Sequence, residues 1–476
     1  MLAKSSIRAV AVAALIGAGI SGFGAAYAQQ PEESAREAAD RDLQDAQRRD
    51  TRQYDYRGGA IPFEQILSSP GDVDLNVAYA RQQIAAGDLK EGSATLERIL
   101  LIDPSAHDVR VLYGLVLYRL GLFDRARYEL ELALESNKLP PALRAEAETY
   151  LGRIKYEQRA TRASLTLTTG IEYDSNRNQA PSSGQALSFE FPFNAAPKQD
   201  DLAWVISASG RILHDLGSQE GHVLFLDAGF YHSDKLEVDR LDLNAASLAL
   251  GATFYAGNWS FTPAVRGGMY WLGGEDYLRT LGGELEVAYR WNPKFTTFVA
   301  GRAEDEDFRA TVLYPDAHLR SGRRISGRAG AIWRINPTNK LLVEGLYSDK
   351  KGSANCMPIF DIDSGCESYD RYGGHVQLKS LLGRGAFSTL SLRAENSNYD
   401  GVDNFISSTI VRDEWIYRGR AAIGAPMSFF FPGAPEAVKD LNIIAQYEYE
   451  SSDSNLLNYD FKSHKVGVML SKRFAF

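Results

Sequence analysis

Charged side chains that alternate with apolar ones along the C-terminal two thirds of the chain have the clearest chemical role. Arg266, Glu284 and Glu286 each have an apolar or small residue directly before and directly after them in the sequence. A strand with one apolar and one ionised face fits lipid on one side and water on the other, because a dry core could not hold such charges. Eight positions are expected to line this water-filled lumen: Arg266, Glu284, Glu286, Arg290, Arg302, Glu304, Arg418 and Arg420.

Catalytic and metal-binding motifs are absent from the sequence. None of the seven histidines belongs to a His-Glu-x-x-His motif or adjoins a Gly-x-Ser-x-Gly elbow. The two cysteines, Cys356 and Cys366, have no nearby histidine that could complete a zinc site. We therefore predict a protein that is not an enzyme and that needs no cofactor or metal. In an oxidising compartment the two cysteines could form a disulfide that stiffens a short loop.

The N-terminal residues have the three-part layout of a secretory signal peptide. Lys4 and Arg8 precede an apolar stretch, and a small-x-small site ends at Ala28. We predict a signal peptide over 1–28, cleaved between Ala28 and Gln29, with a transmembrane anchor as the alternative. Residues 29–58 are rich in charged residues and Gln and poor in large aliphatics, which predicts a disordered leader.

Helical periodicity then dominates a predicted domain over 59–160. Two blocks superimpose at an offset of about 34 residues, the tetratricopeptide period, with Tyr79 matching Tyr113 and Gly87 matching Gly121. A last helix near 141–156 would cap the stack. Such stacks bind peptides or proteins in a groove, and the alternative is a spacer that only holds the remaining chain.

Period-two alternation over 161–476 predicts a transmembrane β-barrel of about 14 antiparallel strands. The first strand covers 163–174, and the others lie near 202–213, 221–232, 243–255, 258–271, 277–291, 294–307, 320–335, 339–350, 368–382, 385–399, 410–425, 440–451 and 463–476. Short and long connections alternate, as they do in outer-membrane barrels. The predicted fold class is therefore an α+β two-domain membrane protein. A soluble β-sandwich would also alternate, but its hidden face would be the apolar one.

Composition agrees with this fold. The chain of 476 residues has a net charge of -9, with 42 glycines, 24 tyrosines and 22 phenylalanines. An acidic chain is a poor candidate for a nucleic-acid partner. The final strand ends in outward Phe474 and Phe476, which matches the signal read by the bacterial barrel-assembly machinery. The expected location is thus the outer membrane of a diderm bacterium, with the helical domain in the periplasm.

The first long connection, residues 175–200, contains Phe189, Phe191 and Phe193. Exposed apolar clusters of this kind mark contact sites. We expect this segment either to fold into the lumen as a plug or to contact a cargo.

The domain order resembles that of the surface lipoprotein assembly modifier (Slam) family of outer-membrane translocators. The most specific local likeness is the stretch over 170–181, which contains a candidate barrel-opening motif with Asp174, Ser175, Asn176 and Asn178. The resemblance implies delivery of a surface lipoprotein or a secreted protein, captured by the helical repeats and passed by the barrel. The implied partners are outer-membrane lipids, the barrel-assembly machinery, a protein cargo and periplasmic chaperones.

A second interpretation comes from a different functional class. A polar-lined barrel with a periplasmic docking domain would also suit an exopolysaccharide-export porin, and a simple solute porin would need no helical domain. The sequence has no phosphate-binding loop of the Gly-x-x-x-x-Gly-Lys-Ser/Thr type, so ATP is not the expected energy source.

Overall fold

The computed structural model describes residues 60–352, 366–435 and 437–476. These residues form two compact units, a helical unit up to Arg162 and a barrel unit from Ala163 onwards. The predicted signal peptide with its Ala28 and Gln29 cleavage site, the leader over 29–58 and Cys356 lie outside the described residues.

From residue 60 onwards, the helical unit contains six helices connected by short turns. They are α1 Phe63–Ser68, α2 Val73–Ala86, α3 Leu89–Ile102, α4 His107–Arg119, α5 Phe123–Leu134 and α6 Pro141–Glu157. Within the described part of the chain, none of the helices combines the length and apolarity required to cross a bilayer.

Helix α4 is the centre of the helical core. It is apolar on nearly all sides, and Leu117 and Tyr118 are fully buried. The Tyr118 ring meets the Tyr150 ring of α6 edge to face, with centroids 5.2 Å apart. A helix that is hydrophobic all round must be enclosed by neighbours, which explains why α4 is the most buried helix of the unit.

In each of two successive helix pairs, a glycine follows the first helix. Gly87 follows α2 with φ 90°, and Gly121 follows α4 with φ 78°. This left-handed conformation is readily adopted by glycine and closes the helix end. Leu96 and Leu130, which are also 34 residues apart, both have 0% exposure in the core.

The barrel unit is a closed, 14-stranded antiparallel barrel, and that prediction is confirmed. Its strands are β1 Thr161–Asp174, β4 Asp201–Asp215, β5 Val223–Lys235, β6 Leu243–Ala256, β7 Trp259–Leu272, β8 Glu275–Asn292, β9 Phe295–Phe308, β10 Gly322–Asn336, β11 Asn339–Gly352, β12 Tyr369–Gly383, β13 Ala386–Val402, β14 Val411–Pro426, β15 Asn442–Ser454 and β16 Phe461–Ala475. Strand β1 lies between β16 and β4, which closes the ring.

The outer surface of the barrel carries the apolar residues of each strand. Leu281 and Leu285 on β8 are 65% and 49% exposed, and Val299 on β9 is 61% exposed. Aromatic rings cluster near the ends of the apolar band, as Tyr289 and Trp259 do with centroids 4.7 Å apart. Such an exterior is stable only in contact with lipid, so this is a membrane-spanning barrel.

Connection lengths differ between the two barrel ends. At the end where β1 starts, turns such as 257–258 and 293–294 have two residues. The other end has long connections, of which 175–200 is one, with Gly273 and Gly274 as a short exception. On the short side, the β14–β15 connection is longer and contains helix α7, Met427–Phe430.

The connection over 175–200 contains a hairpin that the sequence alone did not indicate. Strands β2 Gln185–Ser188 and β3 Phe191–Asn194 pair in register from Gln185 opposite Asn194 to Ser188 opposite Phe191. Phe191 is 76% exposed, so its ring is not packed inside the barrel.

Candidate functional site: the inner wall and outer mouth of the barrel

Ion pairs link the inner faces of β7 to β11. Arg266 Nε lies 2.8 Å from a Glu284 carboxylate oxygen, and Arg328 donates to Glu286 at 2.6 Å. A second Arg328 nitrogen lies 3.7 Å from Glu344. The strand register causes this arrangement, because it brings inward side chains of neighbouring strands to the same height.

A denser ion network covers β14 to β16. Arg418 donates to Glu450 at 2.8 Å, and Arg420 donates to Glu448 through Nε at 2.7 Å. Lys465 lies between the two carboxylates, with Nζ 3.1 Å from Glu448 and 3.4 Å from Glu450. The side chains of Glu448 and Glu450 are only 9% and 3% exposed. Buried carboxylates of this kind need paired cations.

The remaining predicted lumen charges follow two patterns. Arg302 donates to Glu304 on its own strand at 2.6 Å, whereas Arg290 is exposed near the end of β8. Each ion pair named so far joins residues on one strand, on adjacent strands or on strands one apart. The paired side chains therefore lie along the wall, and most of the expected lumen charges are neutralised by a neighbour.

Part of the inner wall is apolar, which the alternation of polar and apolar residues did not indicate. Buried Val205 on β4 and Tyr231 on β5 belong to one cluster with Ile444 on β15 and Met469 on β16. Strand β1 lies between these two sets of strands, and its Gly170 has no side chain to separate them. The lumen therefore has a charged sector and an apolar sector.

Three inward residues form a hydrogen-bonded row that sequence motifs could not reveal. His375 Nδ1 is 2.9 Å from Glu344, and His375 Nε2 is 2.9 Å from Ser391 Oγ. This order of groups is the one used in acyl transfer, which also needs free N–H donors for an oxyanion. The strand N–H groups here belong to the β11–β12–β13 ladder. We therefore assign the row to the polar wall.

Asp174 joins the top of β1 to the last strand. It accepts from Asn176 N at 2.9 Å and from Ser463 Oγ at 2.5 Å. Ser175 accepts from the backbone N–H of His464 at 2.9 Å through its hydroxyl. Asp174 and Asn176 are 2% and 1% exposed. These contacts fix the outer end of the β1–β16 seam.

Asn176 and Asn178 hold the base of the connection over 175–200. The Asn176 amide donates to Ala180 O and accepts from Ala180 N, at 3.0 and 2.9 Å. The Asn178 amide donates to Pro197 O at 2.9 Å and accepts from Gln199 N at 2.9 Å. Each side-chain amide thus replaces a missing backbone partner, which is why Asn is suited to both positions.

Replacing Asn176 by alanine will loosen the connection over 175–200 without unfolding the barrel. The change removes buried hydrogen bonds and leaves backbone groups unpaired, which costs on the order of 1–3 kcal/mol. We expect trypsin to cut at exposed Lys198 about tenfold faster in intact outer-membrane vesicles. Ser183→Ala is the control, because the Ser183 hydroxyl is exposed and bonds only within the same segment. Equal cleavage rates for the two variants would contradict this role.

Loops from distant strands converge at the outer mouth. Arg320, just before β10, donates to Tyr277 Oη of β8 at 3.0 Å and to Glu367 at 3.5 Å. Arg412 lies over the Tyr459 ring, with its guanidinium carbon 3.3 Å from the centroid. Burial raises the pKa of Asp403, in the β13–β14 loop, to about 6. The negative charge of Glu367 also raises this pKa, whereas the positive charges of Arg412 and Arg320 lower it.

The remaining sequence predictions concern the two cysteines and the C-terminal residues. Cys366 is disulfide-bonded and buried, and Cys356, the other cysteine of the predicted pair, lies outside the described residues. Phe476 is 57% exposed and follows Phe474 of β16 by two residues. Among the described residues, no group of three His, Cys, Asp or Glu side chains is arranged to hold a metal.

Comparisons with known proteins add little to this geometry. No protein-family model matches the sequence, and no curated protein matches it. Among solved structures, Pseudomonas aeruginosa OpdK with vanillate is 9% identical and covers 66% of this chain and 99% of its own, with a TM-score of 0.31. Pseudomonas aeruginosa OprD is 8% identical, covering 67% of this chain and 94% of its own, with a TM-score of 0.33.

A third solved structure, a bacterial polysaccharide outer membrane secretin, is 11% identical with a TM-score of 0.31 and covers 66% of this chain and 98% of its own. TM-scores this low carry no argument about the function of the present chain. Its function has to be argued from its own residues.

Proposed function

We propose that this protein is an outer-membrane translocator that delivers a protein cargo, either a surface lipoprotein or a secreted protein. The helical unit lies in the periplasm and captures the cargo, and the barrel passes it to the cell surface. This is the activity implied by the resemblance to surface lipoprotein assembly modifiers, with outer-membrane lipids, the barrel-assembly machinery and periplasmic chaperones as further partners.

The short connection between the units carries the proposal. Helix α6 ends at Glu157 and strand β1 begins at Thr161, so three residues link the helical unit to the barrel wall. Three residues span at most about 11 Å. A cargo captured by the helical unit is therefore bound to a segment that precedes the first barrel strand by only three residues.

The helical unit has features of a tetratricopeptide stack. The repeat of 34 residues matches in conformation at Gly87 and Gly121 and in burial at Leu96 and Leu130. Its surface keeps large apolar side chains exposed, including Leu101 at 79% and Tyr128 at 61%. Exposed apolar side chains on such a stack are suited to contact another polypeptide.

Unfolding the helical unit while keeping the barrel tests the proposal. Leu130→Asp places a charge in a fully buried site, which costs several kcal/mol and should melt the unit. Thr149→Asp is the control, because Thr149 is exposed on α6. The measurement is surface proteomics by protease shaving, with secretome analysis, of a deletion strain complemented by each variant.

We expect specific proteins to be lost from the surface or medium and to accumulate in the periplasm with Leu130→Asp but not with Thr149→Asp. The barrel must be present at equal abundance in both strains. An unchanged protein profile would overturn the translocator proposal. It would favour the polysaccharide or solute conduit if export or uptake of such a compound fell instead.

A further inference from the structure

The β2–β3 hairpin extends from its base to a distant loop of the outer mouth. Its base lies between β1 and β4, but its tip contacts the β13–β14 loop, three strands away counted through β16 and β15. Phe189 N donates to Phe405 O at 2.9 Å and Glu190 N donates to Ile406 O at 2.8 Å. The hairpin thus overhangs one sector of the mouth.

Glu190 fastens the tip to the β13–β14 loop. One of its carboxylate oxygens accepts from Ser408 Oγ at 2.7 Å and from Ser408 N at 3.0 Å. Ser407 and Thr409 hydroxyls lie 3.5 and 3.4 Å from the same oxygen. Hydrogen bonds from Ser408 lower the pKa of Glu190. The contact therefore stabilises the docked tip fully at pH values above the usual pKa of Glu, and this stabilisation is lost as the pH falls through the lowered pKa.

The middle of the hairpin rests on the β15–β16 loop. The Asn458 amide accepts from Leu187 N at 2.8 Å and donates to Leu187 O at 3.0 Å. The Leu187 side chain packs against buried Ile406, Leu456 and Tyr459. Among the residues that the structure describes, the buried cluster has only three side chains besides Leu187, so the docked state depends on both the middle and the tip.

The two residues of the hairpin turn are strained. Phe189 and Glu190 have φ values of 47° and 67°, in the left-handed region where a two-residue hairpin turn usually has Asn-Gly. Neither residue is glycine, so the turn costs conformational free energy that its contacts must offset. If the tip loses these contacts, relief of the backbone strain favours a different conformation of the turn.

We propose that the β2–β3 hairpin is a hinged lid on the outer mouth, held closed by the Glu190 latch to Ser407–Thr409. The hinge is at the base, which the Asn176 and Asn178 amides keep in place. When the latch breaks, the hairpin swings away from the β13–β14 loop and the sector of the mouth beneath it opens. The lid acts on any permeant, so this inference is independent of the cargo.

Ion conductance of the purified full-length protein in planar lipid bilayers tests the lid. Glu190→Gln removes the charge of the latch, and its matched control is Glu237→Gln, an exposed glutamate on the neighbouring β5–β6 connection. Loss of the charge weakens the hydrogen bonds that hold the tip docked. We therefore expect the time spent in the high-conductance state to rise on the order of tenfold for Glu190→Gln. The control should match the unaltered protein.

A second variant removes the lid itself. Ala195 N donates to Gly184 O at 2.9 Å, so the segment 185–194 can be replaced by Gly-Gly without moving the base. This variant should remain in the high-conductance state. Unchanged conductance in both the Glu190→Gln and the shortened protein would overturn the lid. Because only small ions are measured, this result is separate from the outcome of the cargo experiment.

Discussion

Gly170→Ala will largely prevent the barrel from closing between its first and last strands. A Cβ on Gly170 would lie 2.2 Å from Val468 O and 2.4 Å from Met469 Sδ, distances that real Cβ atoms do not adopt. The sulfur can rotate away, but the carbonyl belongs to the β16 backbone. Strand β16 would have to move from β1, which breaks a ladder that runs without a shift from Ser164 opposite Ala475 to Asp174 opposite Lys465.

The expected loss exceeds the roughly 1–3 kcal/mol of ordinary overpacking, because no side-chain rearrangement relieves a backbone clash. The measurement is the fraction of outer-membrane protein that migrates as a compact barrel in unheated gels. Gly301→Ala on β9 is the control, because a Cβ there would meet nothing within 4 Å. Alanine suits a strand better than glycine, so the control should fold at least as well as the native chain. Equal folded fractions for the two variants would show that the seam tolerates a wider spacing.

The strands were predictable because lipid and water face opposite sides of each one. Period-two alternation locates a strand within a few residues, as it did for β7, predicted near 258–271 and found at Trp259–Leu272. Alternation also assigns a face to each side chain, and on this basis Glu284 and Glu286 are predicted to lie inward. It contains no information on which inward charges meet, because that depends on the register of neighbouring strands.

The hairpin and the mouth were not predictable for different reasons. Strand β3 has four residues and includes Pro192, and the turn at Phe189 and Glu190 lacks the Asn-Gly signal. The mouth combines Arg320, Glu367 and Asp403, which come from three loops with no common pattern. Such contacts form only once the barrel has brought the loops to one end. The tetratricopeptide assignment of the helical unit remains a prediction.

The Asp174 motif shows how a sequence likeness can have a physical basis. Asp174, Ser175 and Asn176 connect β1 to β16 and to the base of the lid in one hydrogen-bonded unit. Asn178 fixes the other side of the same base. Short polar side chains that can replace backbone partners are required at these four positions, whatever passes through the barrel. The motif therefore supports barrel closure and lid position, and it does not by itself identify a cargo.

Lys465→Met will lower the stability of the barrel by about 2–3 kcal/mol, because a hydrogen bond to a charged group contributes roughly 1.5–3 kcal/mol. Lys465 Nζ is the shared cation of Glu448 and Glu450, whose side chains are 9% and 3% exposed. Methionine fills a similar volume, so the change isolates the charge. Glu448 keeps Arg420 and Glu450 keeps Arg418 as arginine partners, but both carboxylates lose the cation that lies between them.

The measurement is the temperature at which the folded barrel converts to the unfolded band in gels, and we expect a drop on the order of 10 °C. Lys462→Met is the matched control, because Lys462 lies on the same strand and is exposed. Glu450→Gln combined with Lys465→Met should not recover the lost stability, because it also removes the 2.8 Å partner of Arg418 and leaves that guanidinium with Glu448 at 3.9 Å. A selectivity role alone would change ion preference and leave the melting temperature unchanged. A lower melting temperature for Lys465→Met but not for Lys462→Met therefore assigns this network to the stability of the wall, and equal melting temperatures would assign the charges to the permeant.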